Sequence, residues 1–440
     1  MKIKIVVCTI VMLLATSLSS LLVTNPSPSN GAIDVTLTPE HDVTINKLNM
    51  QHGVHVNNRT FISYMGSDPC IIQYNHTENS WLPSVQVGSA SGGKAAPSMF
   101  INDSGYIWIF YDFHGGTNSI RTSKNPYYIG TSSSDWTADT WPGCSDAAYI
   151  HCINVGNDEV YIFYRCGSSN PRRWYYAYST DGGETWDSDD QLIISTSDGG
   201  YGESYVFGMK YQDGKVHMVW HDSDHAYPDV SRNVYYNYFD TTDQHMYNIT
   251  GADLGTAVDS AADMAASLAY QSPNDAIQME TNQGHIDVNS SGYPYIIFAN
   301  GSSNSPELYS WDFLYWNGNE WSNPVNLTDD LVDSEGTTCD IKIYNDDNIK
   351  AYLTVPGVGH SAGDPGGDIK QYDWDGSVWS YNTTILHESV EGDALNMGYK
   401  IKDGLDEFAM MAVIYDYNEV DGNNNIYCWG NSGEFLWVEW

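Results

Sequence analysis

A hairpin whose second strand alternates aromatic and aliphatic residues recurs along this chain of 440 residues, and no other feature constrains the fold as tightly. Such second strands read RTFISYMG (59–66), GYIWIFYD (105–112), DEVYIFYR (158–165), GKVHMVWH (214–221), GYPYIIFAN (292–300), DNIKAYLTV (347–355) and DEFAMMAVIYD (406–416). Alternating Tyr, Phe, Trp, Val and Ile suit a pleated, half-buried surface, so each run predicts a strand and not a helix. Each is reached through a turn rich in Asn, Asp or Gly and is followed by an outer pair that often ends in Trp, as in RRWYYAYSTDGGETWDSDDQLI. Four strands per unit, repeated at about 46 to 60 residues with one longer interval, form the sequence signature of a β-propeller. Seven units predict an all-β, seven-bladed propeller over residues 41–440; a six-bladed, sialidase-like propeller is the alternative if one weak unit is misread. The longer interval contains the Ala-rich GADLGTAVDSAADMAASLAYQ (251–271), which predicts an inserted helix or long loop near 251–275.

The chain opens with Met1, Lys2 and Lys4 followed by the apolar run IVVCTIVMLLATSLSSLLV. Residues 1–24 therefore read as a signal peptide or N-terminal anchor, and residues 25–40 as a polar spacer. The expected location is secreted or cell-surface, with membrane contact only through that anchor. With 56 Asp plus Glu against 18 Lys plus Arg, the formal net charge is -38. Nucleic acids and anionic membranes need a basic footprint, so neither is an expected partner, and a monomer is expected. Removing Cys8 with the leader leaves Cys70, Cys144, Cys152, Cys166, Cys339 and Cys428, and some pair among Cys144, Cys152 and Cys166 is expected to bridge. No CxxC, P-loop, GxSxG, HExxH or dinucleotide fingerprint occurs, so no cofactor is required; structural calcium or zinc is compatible with the composition. His221, Asp222, Asp224 and His225 in WHDSDH read as solvent-facing loop residues, and Asp364 and Asp368 in AGDPGGD as turn residues, so no metal ligands are assigned.

Antiparallel pairing brings the start of a hairpin's first strand beside the end of its second. In the hairpin from Lys94 to His114 these two residues share an edge, and in the next, from Tyr149 to Arg165, the same holds. A third hairpin, SYVFGMKYQDGKVHMVWHD, sets Tyr205 beside His221 and Asp222. If the three are neighbours, a Lys, an Arg, two His and two Tyr gather on one face. Cations are scarce in this chain, yet they concentrate between Lys94 and Arg232, a bias that an anionic ligand would need.

Ser179 to Trp186, STDGGETW, fits the Asp-box pattern S-x-D-x-G-x-x-W, in which the Asp and the glycines shape a turn and the Trp packs between strands. Together with APSMFINDSGYIWIFYDFHG, AAYIHCINVGNDEVYIFYRCGSSN and NQGHIDVNSSGYPYIIF, it resembles the BNR-repeat family that includes the seven-bladed ulvan lyases and related polysaccharide lyases, over roughly residues 50–330. The resemblance implies an exported lyase that cleaves a uronate-containing acidic polysaccharide by β-elimination. Residue by residue it implies catalytic roles for His114, Tyr149 and Arg165, with Tyr205 a looser match. Lys94 stands where the family has a further His. Elimination needs the uronate carboxylate neutralised, a base for the C5 proton and an acid for the leaving oxygen. Arg165 suits the carboxylate, His114 a base or neutraliser, Tyr149 a base and acid if a cation lowers its pKa, and Lys94 extra charge or a base. Tyr205, His221 and Arg121 are the substrate-binding candidates. The other readings are a non-catalytic carbohydrate-binding or cell-surface propeller and a sialidase-like glycoside hydrolase, the latter disfavoured by the absence of a three-Arg set spread over the units.

Overall fold

The computed structural model describes residues 52–438 except 66–67, 76, 79, 92–96, 112, 114–116, 168–171, 197–201, 224–230, 273–283, 302–307, 329–331, 334–338, 346–347, 356–367, 388–392, 399–409, 417–425 and 430–434. The leader and spacer expected over residues 1–40, and the candidates Lys94, His114, Asp224, His225 and Asp364, lie outside the described residues. Within them, strands in sequence order form seven antiparallel sheets, each a four-strand meander, three of them with a short extra strand. The second strands are Arg59–Met65, Ile107–Tyr111, Glu159–Cys166, Lys215–Ser223, Pro294–Gly301, Asn348–Val355 and Met410–Asp416, matching the seven aromatic runs of the sequence.

First strands of successive sheets, from Gly53–Val56 through Ser98–Ile101, Ala148–Gly156, Glu203–Gln212 and Gly284–Val288 to Cys339–Asn345, pack beside one another. Sheets whose first strands converge while their later strands diverge are propeller blades, and the fold is a β-propeller. Aromatic side chains fill the wedges between blades. Trp174 and Trp311 are fully buried on third strands of different sheets, and each indole reaches the following sheet, donating to Ser204 O at 2.9 Å and Thr354 O at 3.0 Å.

The Asp box performs a similar task at the opposite end of the third sheet. Gly183 N donates to Ser179 Oγ and Thr185 N to Asp181 Oδ1, each at 2.8 Å, which closes the turn. Gly182 and Gly183 have φ of 73° and 99°, where a side chain is strained. The turn aims Trp186 edge-on at Phe100, Trp108 and Phe110 of the second sheet, with ring centroids 6.3 to 6.4 Å away. The packing is thus between blades.

The Ala-rich segment contains a helix, Ala261–Ser267, started by a capping box in which Ser260 and Asp263 satisfy each other's backbone N–H groups. The strand that follows, Leu268–Tyr270, joins the fourth sheet against Ser231–Asp240. No helix among the described residues is long and apolar enough to cross a membrane. Cys144 and Cys166 form a disulfide, so of the three candidate cysteines the loop before the third sheet is tied to the residue after Arg165; Cys152 is buried in the core.

Candidate active site

The site begins with an irregularity in the third sheet. Pairing runs Ala148↔Arg165 and then His151↔Phe163, so the first strand carries a bulge at residues 149–150. Tyr149 sits in it with φ of 59°, a left-handed conformation that a bulky residue rarely adopts. The bulge re-aims the phenol, whose ring centroid lies 4.5 Å from the Arg165 guanidinium carbon. From the next sheet, Tyr205 packs against the same guanidinium at 4.6 Å, and the two tyrosine rings are 6.0 Å apart at 60°, so they meet the cation as two walls of a corner. A cation in contact with two phenol rings is attracted by both ring quadrupoles.

Side chains two apart on a strand share a face, so Glu203 and Tyr205 arrive from the fourth sheet together. The Arg165 guanidinium donates to Glu203 Oε1, and Arg172 Nη1 donates to the same oxygen at 2.8 Å. A backbone bond from Arg172 N to Gly202 O, 2.8 Å, holds the two sheets in register at this point. Glu203 is fully buried, Arg165 is 3% exposed, and only the Arg172 side chain, at 19%, reaches solvent. The expectation that Arg165 holds a sugar carboxylate meets a guanidinium already paired with Glu203 and covered by two rings.

Burial governs the protonation of these groups. It raises the Tyr149 phenol above its ordinary value; Arg165 pulls it back down, Glu203 pushes it further up, and burial prevails. A cation is therefore adjacent, as the sequence suggested, but its effect is outweighed and Tyr149 is protonated at neutral pH. Burial raises Tyr205 as well. Burial alone would lower Arg165, but Tyr149, Tyr205 and Glu203 more than offset it, and the guanidinium stays charged.

His221 pairs directly with Tyr205, as the hairpin geometry predicted. It is not in a loop: the strand runs through Ser223, and His221 and Asp222 are both fully buried, which corrects the solvent-facing reading. The imidazole lies between Tyr205 and Phe207, each centroid 5.5 Å away, with neither ring nitrogen hydrogen-bonded. Burial lowers its pKa to about 3, so it is a neutral platform beneath Tyr205.

Arg121 lies elsewhere, on the third strand of the second sheet, where its Nε donates to Tyr111 OH at 3.2 Å; its described contacts do not join it to the Arg165 cluster. Lys94 precedes the first strand of that sheet by four residues and His114 follows the second by three, both outside the described residues. Sequence reasoning missed Glu203 and Arg172. The available signal was the parity of Glu203 with Tyr205 in GESYVF, on a chain where buried carboxylates need cations. Among the described residues, the geometric cluster of Cys144, Asp146 and Cys166 is not a metal site, since its sulfurs are bonded to each other.

Comparison with known proteins bears on this arrangement. The chain is 24% identical over 432 residues to an ulvan lyase of Alteromonas sp. (strain LOR), an alignment covering 87% of this chain and 84% of that one. It is 26% identical over 348 residues to an ulvan lyase of Nonlabens ulvanivorans, covering 67% and 71%. Among solved structures, a PL25 ulvan lyase bound to -[GlcA(1-4)Rha3S]- superimposes with a TM-score of 0.72 at 20% identity, covering 88% of this chain and 95% of that one. The model of the BNR repeat-containing family matches residues 59–327, more than half of the chain. The chain belongs to the BNR repeat-containing family.

Proposed function

We propose that the chain is an exported polysaccharide lyase that cleaves a uronate-containing acidic glycan by β-elimination. The observation that carries this reading is the protonated Tyr149 phenol against a guanidinium that also packs on Tyr205, in a chain whose relatives are ulvan lyases. In the elimination, a base removes the C5 proton, the electron pair forms the C4–C5 double bond, and the C4–O bond breaks with a proton supplied to the leaving oxygen. A protonated phenol is suited to that last transfer, and Arg165 then stabilises the phenolate it leaves. Of the two roles open to His114, base or neutraliser, this reading takes the base, and Lys94 supplies charge for the sugar carboxylate. The elimination so written needs no cofactor. The apolar run within residues 1–24 supports export.

The substitution of Lys94 for the family His favours one rival, a propeller that binds acidic glycans without cleaving them. Absorbance of the unsaturated uronate product, measured over ulvan, heparinoids, pectins and alginate, separates the two. The lyase reading expects product from at least one, with ulvan first. Measurable binding with no product from any of them overturns it.

A further inference from the structure

Glu203 is the least expected member of the cluster. It is a fully buried carboxylate with two arginines on one oxygen, and it reaches the third sheet from the fourth. Its neighbour in the strand, Ser204, accepts the Trp174 indole N–H through its carbonyl, and Glu203 itself forms a parallel bridge with Arg172, so its backbone is anchored on both sides. A carboxylate held in this way has little freedom to leave. Arg165 packs in turn against the rings of both Tyr149 and Tyr205.

We propose that Glu203 is a positioning residue of the reaction: by bridging Arg165 and Arg172 it holds the Arg165 guanidinium in the corner formed by the Tyr149 and Tyr205 rings and fixes the net charge that the reacting phenol faces. The inference rests on the lyase reading for its kinetic consequence and on geometry alone for its structural one. The bookkeeping of charge is simple. Two arginines and one carboxylate leave one net positive charge behind the phenols, enough to stabilise a transient phenolate without holding Tyr149 permanently ionised. Without Glu203 two unbalanced cations would face Tyr149; without Arg172 the remaining pair would be neutral.

The charged and titratable groups facing Tyr149 among the described residues are Arg165 on its own sheet, Arg172 at the start of the next strand, and Glu203 and Tyr205 on the fourth sheet. Of these, Arg165 and Arg172 favour the phenolate and Glu203 opposes it. Two isosteric or near-isosteric changes should therefore move Tyr149 in opposite directions. Glu203→Gln keeps the shape and an accepting oxygen but removes the negative charge, and moves the midpoint of the phenol's ionisation down by about one pH unit or more. Arg172→Gln removes a cation that is partly exposed and moves that midpoint up by a smaller amount.

The experiment measures both variants in two ways. Tyrosinate absorbance, taken as the difference between each protein and its Tyr149→Phe counterpart, follows Tyr149 without substrate. The alkaline limb of the kcat/KM profile on ulvan follows it in turnover. Downward displacement in Glu203→Gln and upward displacement in Arg172→Gln, by both measures, is the expected result. Unmoved or same-direction shifts in folded variants overturn the inference, because a purely structural role alters stability and not the sign of the shift. If no glycan is cleaved, the lyase reading fails while the absorbance pair still decides whether Glu203 sets the charge at Tyr149. Far-ultraviolet circular dichroism confirms folding, and should Glu203→Gln fail to fold, Arg172→Gln decides alone.

Discussion

Replacing Arg165 with Met removes the cation and keeps most of the aliphatic stem, so it tests whether the guanidinium is the centre of the site. The structure sets the magnitude. Two buried rings lie 4.5 and 4.6 Å from the guanidinium carbon, and a desolvated cation–π contact is worth about 2 kcal/mol, so these contacts together contribute roughly 3 to 4 kcal/mol. Stripping a buried charge of its partner costs about 3 to 5 kcal/mol, but Glu203 keeps Arg172 at 2.8 Å, so only part of that cost applies. Relief from burying the guanidinium itself offsets a share, leaving a net destabilisation of about 3 kcal/mol. In turnover, the phenolate of Tyr149 loses its nearest cation, and general-acid assistance of this kind is worth about 10²- to 10⁴-fold. Urea unfolding should show a lower midpoint with an unchanged m-value, and kcat on ulvan should fall about a thousandfold. A variant that unfolds at the wild-type midpoint, or that is folded and within tenfold of wild-type kcat, would refute this account of Arg165.

Trp186→Ala tests the blade-to-blade packing without touching the site. Three edge-on aromatic contacts and a half-buried indole put the loss at about 3 kcal/mol, the low end for a Trp truncation. Because Ser179 pairs with Val160 and Trp174 with Arg165, the Asp box lies five residues down the strand from the site, roughly 17 Å, and kcat should not change. Stability should also fall in acid through His151, His217 and His221, all held near a pKa of about 3 by burial. Below about 6.5 the unfolded chain binds protons that the folded chain refuses, so stability is full above that value and is lost as pH drops toward 3. The slope is about 1.4 kcal/mol per pH unit for each histidine. His221→Phe deletes one of the three and also two unpaired buried nitrogens, so it should unfold no more easily at neutral pH and show a shallower acid slope; a slope equal to wild type between pH 6 and 4 would contradict the assignment.

The fold was legible because its determinants are local. Aromatic and β-branched residues alternating across a Gly, Asn or Asp turn specify a hairpin whatever surrounds it, and all seven second strands fall where the alternation sets them. The Asp box was equally readable, since its hydrogen bonds join residues within a span of five. Where the reading fell short, the missing information came from another sheet. WHDSDH looks like a loop after a strand, yet Tyr205 and Phe207 take up the His221 ring and the strand continues to Ser223. The Ala-rich segment was read as an inserted helix or loop and does contain a helix; what its own residues did not disclose is that Leu268–Tyr270 then turns back to pair with the fourth sheet.

The site shows the same division in its chemistry. Hairpin geometry alone brings Tyr205 to His221 and sets Arg165 opposite Ala148, one residue from Tyr149, because antiparallel register is a matter of counting residues; the bulge then turns the phenol onto the guanidinium. What register does not supply is the dielectric. A phenol beside a guanidinium suggests a lowered pKa, yet with Tyr149 only 7% exposed the cost of burying the phenolate exceeds the gain from Arg165. Nor does register disclose Glu203, 38 residues from Arg165 in sequence and on the adjacent sheet, which consumes half of the positive charge that Arg165 and Arg172 bring. The sign of a residue's effect therefore depends on the blade boundary more than on the blade. In a propeller, strands of one blade can determine which groups meet at an edge, while the neighbouring blade determines whether those groups are charged and where they can act.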